Sequence, residues 1–204
     1  MSTEEQREQW DQRFSTNQYL FGTEANAFLT SVRHLLRAGQ TALAVADGEG
    51  RNGVWLAKLG LDVLSVDFSG VALEKARKLA AQNGVTLKTK MADLFSWDWG
   101  QEHFDVVVAI FIQFATPDER TILFSKMKKC LKPAGYLILQ GYRPKQLEYK
   151  TGGPPQAENM YTATMLQEHF ADMTILHLRE HDDLITEGTG HHGMSALIDL
   201  VARK

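Results

Sequence analysis

The sequence predicts an α/β protein: a seven-stranded, mostly parallel, Rossmann-like sheet with helices on both faces and an antiparallel hairpin at its C-terminal end. Three observations carry this. Between Thr41 and Asp67 an apolar run (residues 42–46) meets a glycine cluster, a helix-like segment and a second apolar run that ends on a carboxylate, which is one β-α-β unit. The stretch FDVVVAIF within residues 103–111 is apolar without interruption, as a central parallel strand buried on both faces would be. The last two apolar segments, 173–178 and 196–201, have no helical stretch between them and should pair antiparallel.

In chain order, residues 1–24 carry Trp10, Phe14, Tyr19, Leu20 and Phe21 in a polar background, an aromatic clasp that needs something to pack on. From 25 to 37, Phe28, Leu29, Val32, Leu35 and Leu36 fall on one helical face. After the glycines a helix runs from 52 to 59, with Gly60 ending it, and the second strand is 61–67. Ser69 caps a helix carrying Leu73, Ala76, Leu79 and Ala80, stopped by Asn83-Gly84, and a third strand spans 85–91. After the fourth strand, Thr116-Pro117-Asp118-Glu119 provides an N-cap, an N1 proline and two first-turn acids. That helix closes on Lys126, Lys128 and Lys129, and Pro133 and Gly135 break it. A loop over 142–159 and a short helix over 161–169 precede the final strands.

The cradle between the first two strands points to a nucleotide-type ligand. Gly48 and Gly50 let the backbone approach a ligand closely, and the helix start offers unpaired N–H donors. Asp67, about 20 residues on, stands where an acid accepts hydrogen bonds from a ribose diol. Gly48, Gly50 and Gly53 also satisfy G-x-G-x-x-G, so a nicotinamide dinucleotide is an alternative cofactor. The C-terminal hairpin argues against it, because a dinucleotide fold would continue to alternate strands and helices.

The string VADGEGRNG resembles the first motif, D-x-G-x-G-x-G, of the class I S-adenosylmethionine (SAM) methyltransferases. Aligning Gly48 and Gly50 with the second and third glycines puts Ala46 at the first glycine and Ala44 at the acid, with Asp47 one place after Ala46. The form A-[DE]-G-E-G-R-N resembles the branch that includes the tellurite-resistance (TehB-type) enzymes. The same branch is resembled by WDQRF and YLFGTEANAFL, by TGGP at 151–154, and by Glu187, Gly188, His191 and Gly193, while LKPAGYLIL resembles the L-K-P-G-G turn before strand five of SAM methyltransferases, with Ala134 in place of the first glycine. The resemblance implies SAM as cofactor, bound by Ala46, Asp47, Gly48, Gly50, Arg51, Asn52 and Asp67. It further implies Phe68 and Leu94 against the adenine and Asp93 beside the adenine amine, a helix-cap or turn role being the alternative for Asp93; Arg51 either holds the cofactor carboxylate or makes a surface salt bridge. Residues 1–24 would then be a lid over the cleft, and Ile110 through Gln113 would lie above the methyl group. Related proteins often carry histidine where Gln113 stands, and glutamine cannot act as a general base. Tyr19, Gln113, Arg143 and His191 are therefore expected to hold and cover a small-molecule acceptor, with a thiol, selenium or tellurium nucleophile as the implied class.

At 204 residues, 44% hydrophobic and 23% charged, the chain is expected to form a single domain over 1–204. A formal charge of −3, with no larger basic cluster than Lys126, Lys128, Lys129 and Lys132, argues against a nucleic-acid partner. The polar, acidic start and the lack of long apolar runs give the expectation of no membrane partner and a cytoplasmic protein, monomer or homodimer. Cys130 is a lone core thiol. His191-His192 has neither a cysteine partner nor an HExxH pattern, so no metal site is expected. A SAM-binding module without turnover is the alternative outside enzymology.

Overall fold

The computed structural model describes residues 3–204; residues 1 and 2 of the expected clasp or lid segment lie outside the described residues. The strands form a seven-stranded sheet in the order β3-β2-β1-β4-β5-β7-β6, surrounded by helices. The chain divides into two compact units, one running through Trp97 and including Glu187–Gly190, the other made of Asp98–Thr186 and His191–Lys204.

The first unit contains α1 (Thr3–Phe14), α2 (Ala27–Ser31), a 3-10 turn (Arg33–Leu35), β1 (Thr41–Val45), α3 (Arg51–Lys58), β2 (Asp62–Asp67), α4 (Gly70–Gln82) and β3 (Lys88–Met91). Strands β1, β2 and β3 are parallel, with Thr41 opposite Asp62 and Leu64 opposite Lys88. Leu43, Val45, Val63 and Val66 of the strands, Leu56 of α3 and Ala72, Ala76 and Leu79 of α4 are all buried. Ser69 caps α4 through the Ala72 N–H, as its sequence position requires.

Two expectations shorten here. Instead of one helix over 25–37, α2 stops after five residues: the hydroxyls of Thr30 and Ser31 donate back to the carbonyls of Ala27 (2.8 Å) and Phe28 (2.7 Å), and β-branched Val32 follows. Strand β3 starts at Lys88 rather than 85 because Val85 N–H bonds to Ala80 O (3.1 Å), continuing the helix-closing turn that Gly84 makes at φ +67°. Conversely, residues 3–14 form a helix that the sequence pattern did not mark.

The second unit holds β4 (Phe104–Ile110), α5 (Pro117–Cys130), β5 (Leu131–Tyr142), α6 (Gln146–Tyr149), a 3-10 turn (Ala157–Asn159), α7 (Ala163–His169), β6 (Thr174–Glu187, its last residue in the first unit) and β7 (His191–Arg203). Strand β4 pairs parallel with β5, and β5 pairs antiparallel with β7, Gln140 facing Asp199. Val106, Val107 and Ala109 are fully buried, as the unbroken apolar run required. Helix α5 opens with a capping box in which Thr116 and Glu119 satisfy each other's backbone. The hairpin strands are far longer than the apolar segments 173–178 and 196–201. Among the described residues β6 is the outer strand, and its polar stretch from Arg179 to Asp183 hid it from a hydrophobicity pattern. No helix of the described residues is long and apolar enough to cross a membrane.

Candidate active site

The turn after β1 is built on left-handed backbone. Ala46 (φ +47°), Gly48 (+58°) and Gly50 (+86°) all have positive φ. The alanine at the first motif glycine therefore keeps the glycine conformation, at a cost of roughly 1–2 kcal/mol. A Cβ on Gly50 would lie 2.6 Å from the Cβ of Ala76, so α4 packs directly on the turn at a place where only glycine fits.

Two acids hold this turn open. Asp67, at the end of β2, accepts from Gly48 N (2.8 Å) on one oxygen and from Ser69 N (2.9 Å) on the other. Each oxygen retains acceptor capacity, which is what two ribose hydroxyls need. Burial raises the Asp67 pKa above the ordinary carboxylate value, while the Ser69 and Gly48 backbone donors oppose the shift. Asp47 is a strut, accepting from Gly53 N (3.1 Å) and Ser65 Oγ (2.8 Å) and so joining the turn to the start of α3 and to β2. Its burial lifts its pKa to about 7, against the Ser65 and Gly53 hydrogen bonds and with a further upward push from Asp67.

Arg51 and Asn52 open α3 and are both buried. Arg51 Nη2 pairs with Glu187 Oε2 at 2.7 Å, while Nη1 is buried with no partner among the described residues. Asn52 Oδ1 accepts from Asn26 N at 2.9 Å. Asp93 follows β3, and its carboxylate accepts from Phe95 N (3.0 Å) and Ser96 Oγ (2.9 Å); it therefore also caps the turn around buried Leu94. Ala92 N donates to Asp67 O, which keeps this turn beside the end of β2, next to Phe68.

The N-terminal segment is fastened to the same turn. Phe14 is buried with its ring over Gly48, and it stacks with Trp10 and meets Phe21 edge-on. Leu20 N donates to Glu49 Oε2 (2.7 Å), and Tyr19 Oη donates to Lys75 O (3.3 Å). Lys75 of α4 pairs with Glu49 and donates to the carbonyls of Phe14, Thr16 and Gln18. Tyr19 has its pKa raised by burial and by the Glu49 charge, so its hydroxyl is a donor rather than a base near neutrality. Lys75, Glu49 and Asn26 are contacts that sequence reasoning missed. Glu49 stood inside the motif, but nothing in its spacing named Leu20 or Lys75 as partners.

In the second unit, Ile110 ends β4 and is followed by Phe111 at φ +55°. The Phe111 ring lies 4.4 Å from the ring of His191 and 4.7 Å from that of Tyr142. The Gln113 amide is engaged with the backbone of Tyr142: Nε2 donates to Tyr142 O (2.8 Å) and Oε1 accepts from Tyr142 N (2.5 Å). It positions the start of the loop after β5. Arg143 pairs with Asp182 and Glu180 and donates to His181 O (3.3 Å). Asp182 has its pKa lowered by hydrogen bonds from Lys145 and Tyr149. His181 Nε2 lies 2.8 Å from Asp199, which also accepts from Gln140 (2.6 Å). This His-Asp pair had no sequence signal, because the two residues sit on different strands with 17 positions between them. Among the described residues no cluster of His, Cys, Asp and Glu could hold a metal ion.

Comparison with known proteins joins these features. The family described as "Methyltransferase domain" matches residues 42–135, from β1 to the turn within β5. The chain is 26% identical over 193 residues to glycine/sarcosine N-methyltransferase of Aphanothece halophytica, covering 84% of this chain and 70% of that protein. It is 29% identical over 132 residues to probable thiol methyltransferase 2 of Arabidopsis thaliana, covering 61% and 56%. The chain spans about a third, 35%, of the length of the first curated relatives it matches. TehB from Haemophilus influenzae superposes with a TM-score of 0.72 at 17% identity, over 97% of this chain and 66% of TehB. Residues 42–135 thus match the methyltransferase-domain family, and the chain shares the fold of TehB.

Proposed function

We propose that this chain is a SAM-dependent methyltransferase acting on a small-molecule acceptor. The observation that carries the reading is the left-handed turn at Ala46, Gly48 and Gly50, set between the Asp67 carboxylate and the buried, partnerless Arg51 Nη1. That combination suits a nucleoside bearing a carboxylate, and an all-parallel dinucleotide sheet is not what the antiparallel β7 leaves. Asp67 would hold the ribose diol, Arg51 the amino-acid carboxylate, Leu94 and Phe68 the adenine, and Asp93 its amine. When bound, SAM supplies a methyl group already activated on a sulfonium. The chain's task is then alignment and exclusion of water, effects worth about 7–11 kcal/mol in well-oriented systems. The segment over Gly48, pinned by Lys75, Glu49 and Tyr19, suits the excluding role.

For the acceptor we propose a soft nucleophile: a thiol, or a selenium or tellurium anion. Gln113 is bound to backbone and Arg143 to carboxylates, so neither is available as a strong base. A nucleophile already anionic or highly polarisable needs none. The likeness to a thiol methyltransferase supports this class, and the likeness to a glycine N-methyltransferase supports amines as the rival. A side-by-side screen of thiols, selenite, tellurite, glycine and phenols, read as S-adenosylhomocysteine released, tests it. Faster turnover of glycine or a phenol than of every chalcogen compound would overturn the acceptor assignment.

A further inference from the structure

The tip of the β6–β7 hairpin is tied to the cofactor cradle through one acidic side chain. Glu187 Oε2 accepts from Arg51 Nη2 at 2.7 Å, in an ion pair whose side chains are only 7% and 14% exposed. Its other oxygen accepts from Asn26 Nδ2 (3.0 Å) and Ala27 N (3.4 Å), and Asn26 N in turn donates to Asn52 Oδ1. Glu187 thus joins both residues that open α3 to the start of α2. Its own place is fixed by the turn that follows. Thr189 N and Gly190 N both donate to Leu20 O, at 3.0 and 2.9 Å. Gly188 sits so close to the chain at 20–22 that a Cβ there would meet Leu20 O at 2.5 Å and the Phe21 carbonyl carbon at 2.6 Å.

We infer that Glu187 is a positioning residue for cofactor recognition: by holding one terminal nitrogen of Arg51 it orients the planar guanidinium so that the other, Nη1, meets the carboxylate of SAM. A guanidinium offers its donors in a fixed fork, so anchoring one edge determines where the other points. A buried N–H without a partner is costly, and an incoming carboxylate relieves that cost through a charge-assisted bond. The hairpin tip, sequence-distant from the motif, thereby contributes to discrimination between SAM and nucleosides that lack the amino-acid tail. This inference rests on the SAM reading of the cradle.

Calorimetric titration of the wild-type chain, Glu187→Gln, Arg51→Met and the double variant, each with SAM and with 5′-methylthioadenosine, separates the two. Methylthioadenosine keeps the adenosine and the thioether but has no carboxylate. Glu187→Gln is expected to weaken SAM at least tenfold and methylthioadenosine less than twofold, which also shows that the variant is folded. In the Arg51→Met background the Glu187→Gln change should add no further loss for SAM. Equal losses for both ligands would make Glu187 merely structural, and undiminished SAM affinity, or losses that multiply in the double variant, would overturn the inference. Failure of the wild-type chain to bind either ligand would instead overturn the SAM reading on which it stands.

Discussion

Asp47 makes the cradle sensitive to pH, and its substitution by asparagine isolates the effect. The carboxyl is buried, and desolvation raises its pKa from 3.8 to about 7 despite hydrogen bonds from Ser65 and Gly53. In the unfolded chain the group releases its proton near pH 4, whereas the folded chain keeps it until about pH 7. Between those values the unfolded state binds fewer protons, so stability falls as pH rises. The contribution is fully present below about pH 4 and is lost by the time pH passes 7. A shift of about three units at roughly 1.4 kcal/mol per unit amounts to about 4 kcal/mol, of which the span from pH 5 to 7 holds about 2–3 kcal/mol. Urea unfolding at intervals between pH 5 and 8 measures it, with Asp47→Asn as the comparison because asparagine keeps the size and one acceptor. Asp67 shifts in the same direction, so the variant should retain some slope, shallower than wild type by the Asp47 share. Identical pH slopes in the two proteins would refute the argument.

Other outcomes follow from the same geometry. Gly50→Ala, whose Cβ would overlap Ala76 at φ +86°, should destabilise by about 3 kcal/mol or more in denaturant titration, whereas Gly48→Ala, with its Cβ 3.5 Å from Phe14, should cost only the left-handed backbone term of about 1–2 kcal/mol. Asp67→Ala should weaken SAM by at least about 100-fold in calorimetry, since two hydrogen bonds to a charged acceptor are lost at roughly 1.5–3 kcal/mol each. Gln113→Ala should lower stability by about 1–3 kcal/mol in urea, because the buried Tyr142 backbone loses both Gln113 hydrogen bonds while its carbonyl keeps the Tyr161 N–H. Lys75→Met should expose the backbone around Thr16 and Gln18, seen as faster amide exchange at residues 15–20 with the rates at β1 unchanged.

Much of this arrangement is legible in the sequence because local rules act alone there. The apolar run of β4, the Thr116 capping box and the strand–glycine–helix–acid spacing that ends at Asp67 each follow from a few neighbouring residues. What stayed hidden depends on partners far apart in sequence. Arg51 has the character of a carboxylate binder, but its pairing with Glu187, 136 positions away, appears only once the hairpin tip folds back. Gln113, read as facing an acceptor, is bound instead to the backbone of Tyr142, because a glutamine amide can substitute for one step of a strand ladder. The length of β6 was illegible for a different reason: an outer strand needs no apolar alternation when little of it is buried.

The central claim is that the turn from Ala46 to Asn52, closed by Asp67, is a SAM site. Calorimetric titration of the chain with SAM and with NADH under one set of conditions tests it directly. The account predicts one saturable SAM site per chain that Asp67→Ala removes, with no heat of binding for NADH; saturable NADH binding, or SAM binding untouched by Asp67→Ala, would contradict it.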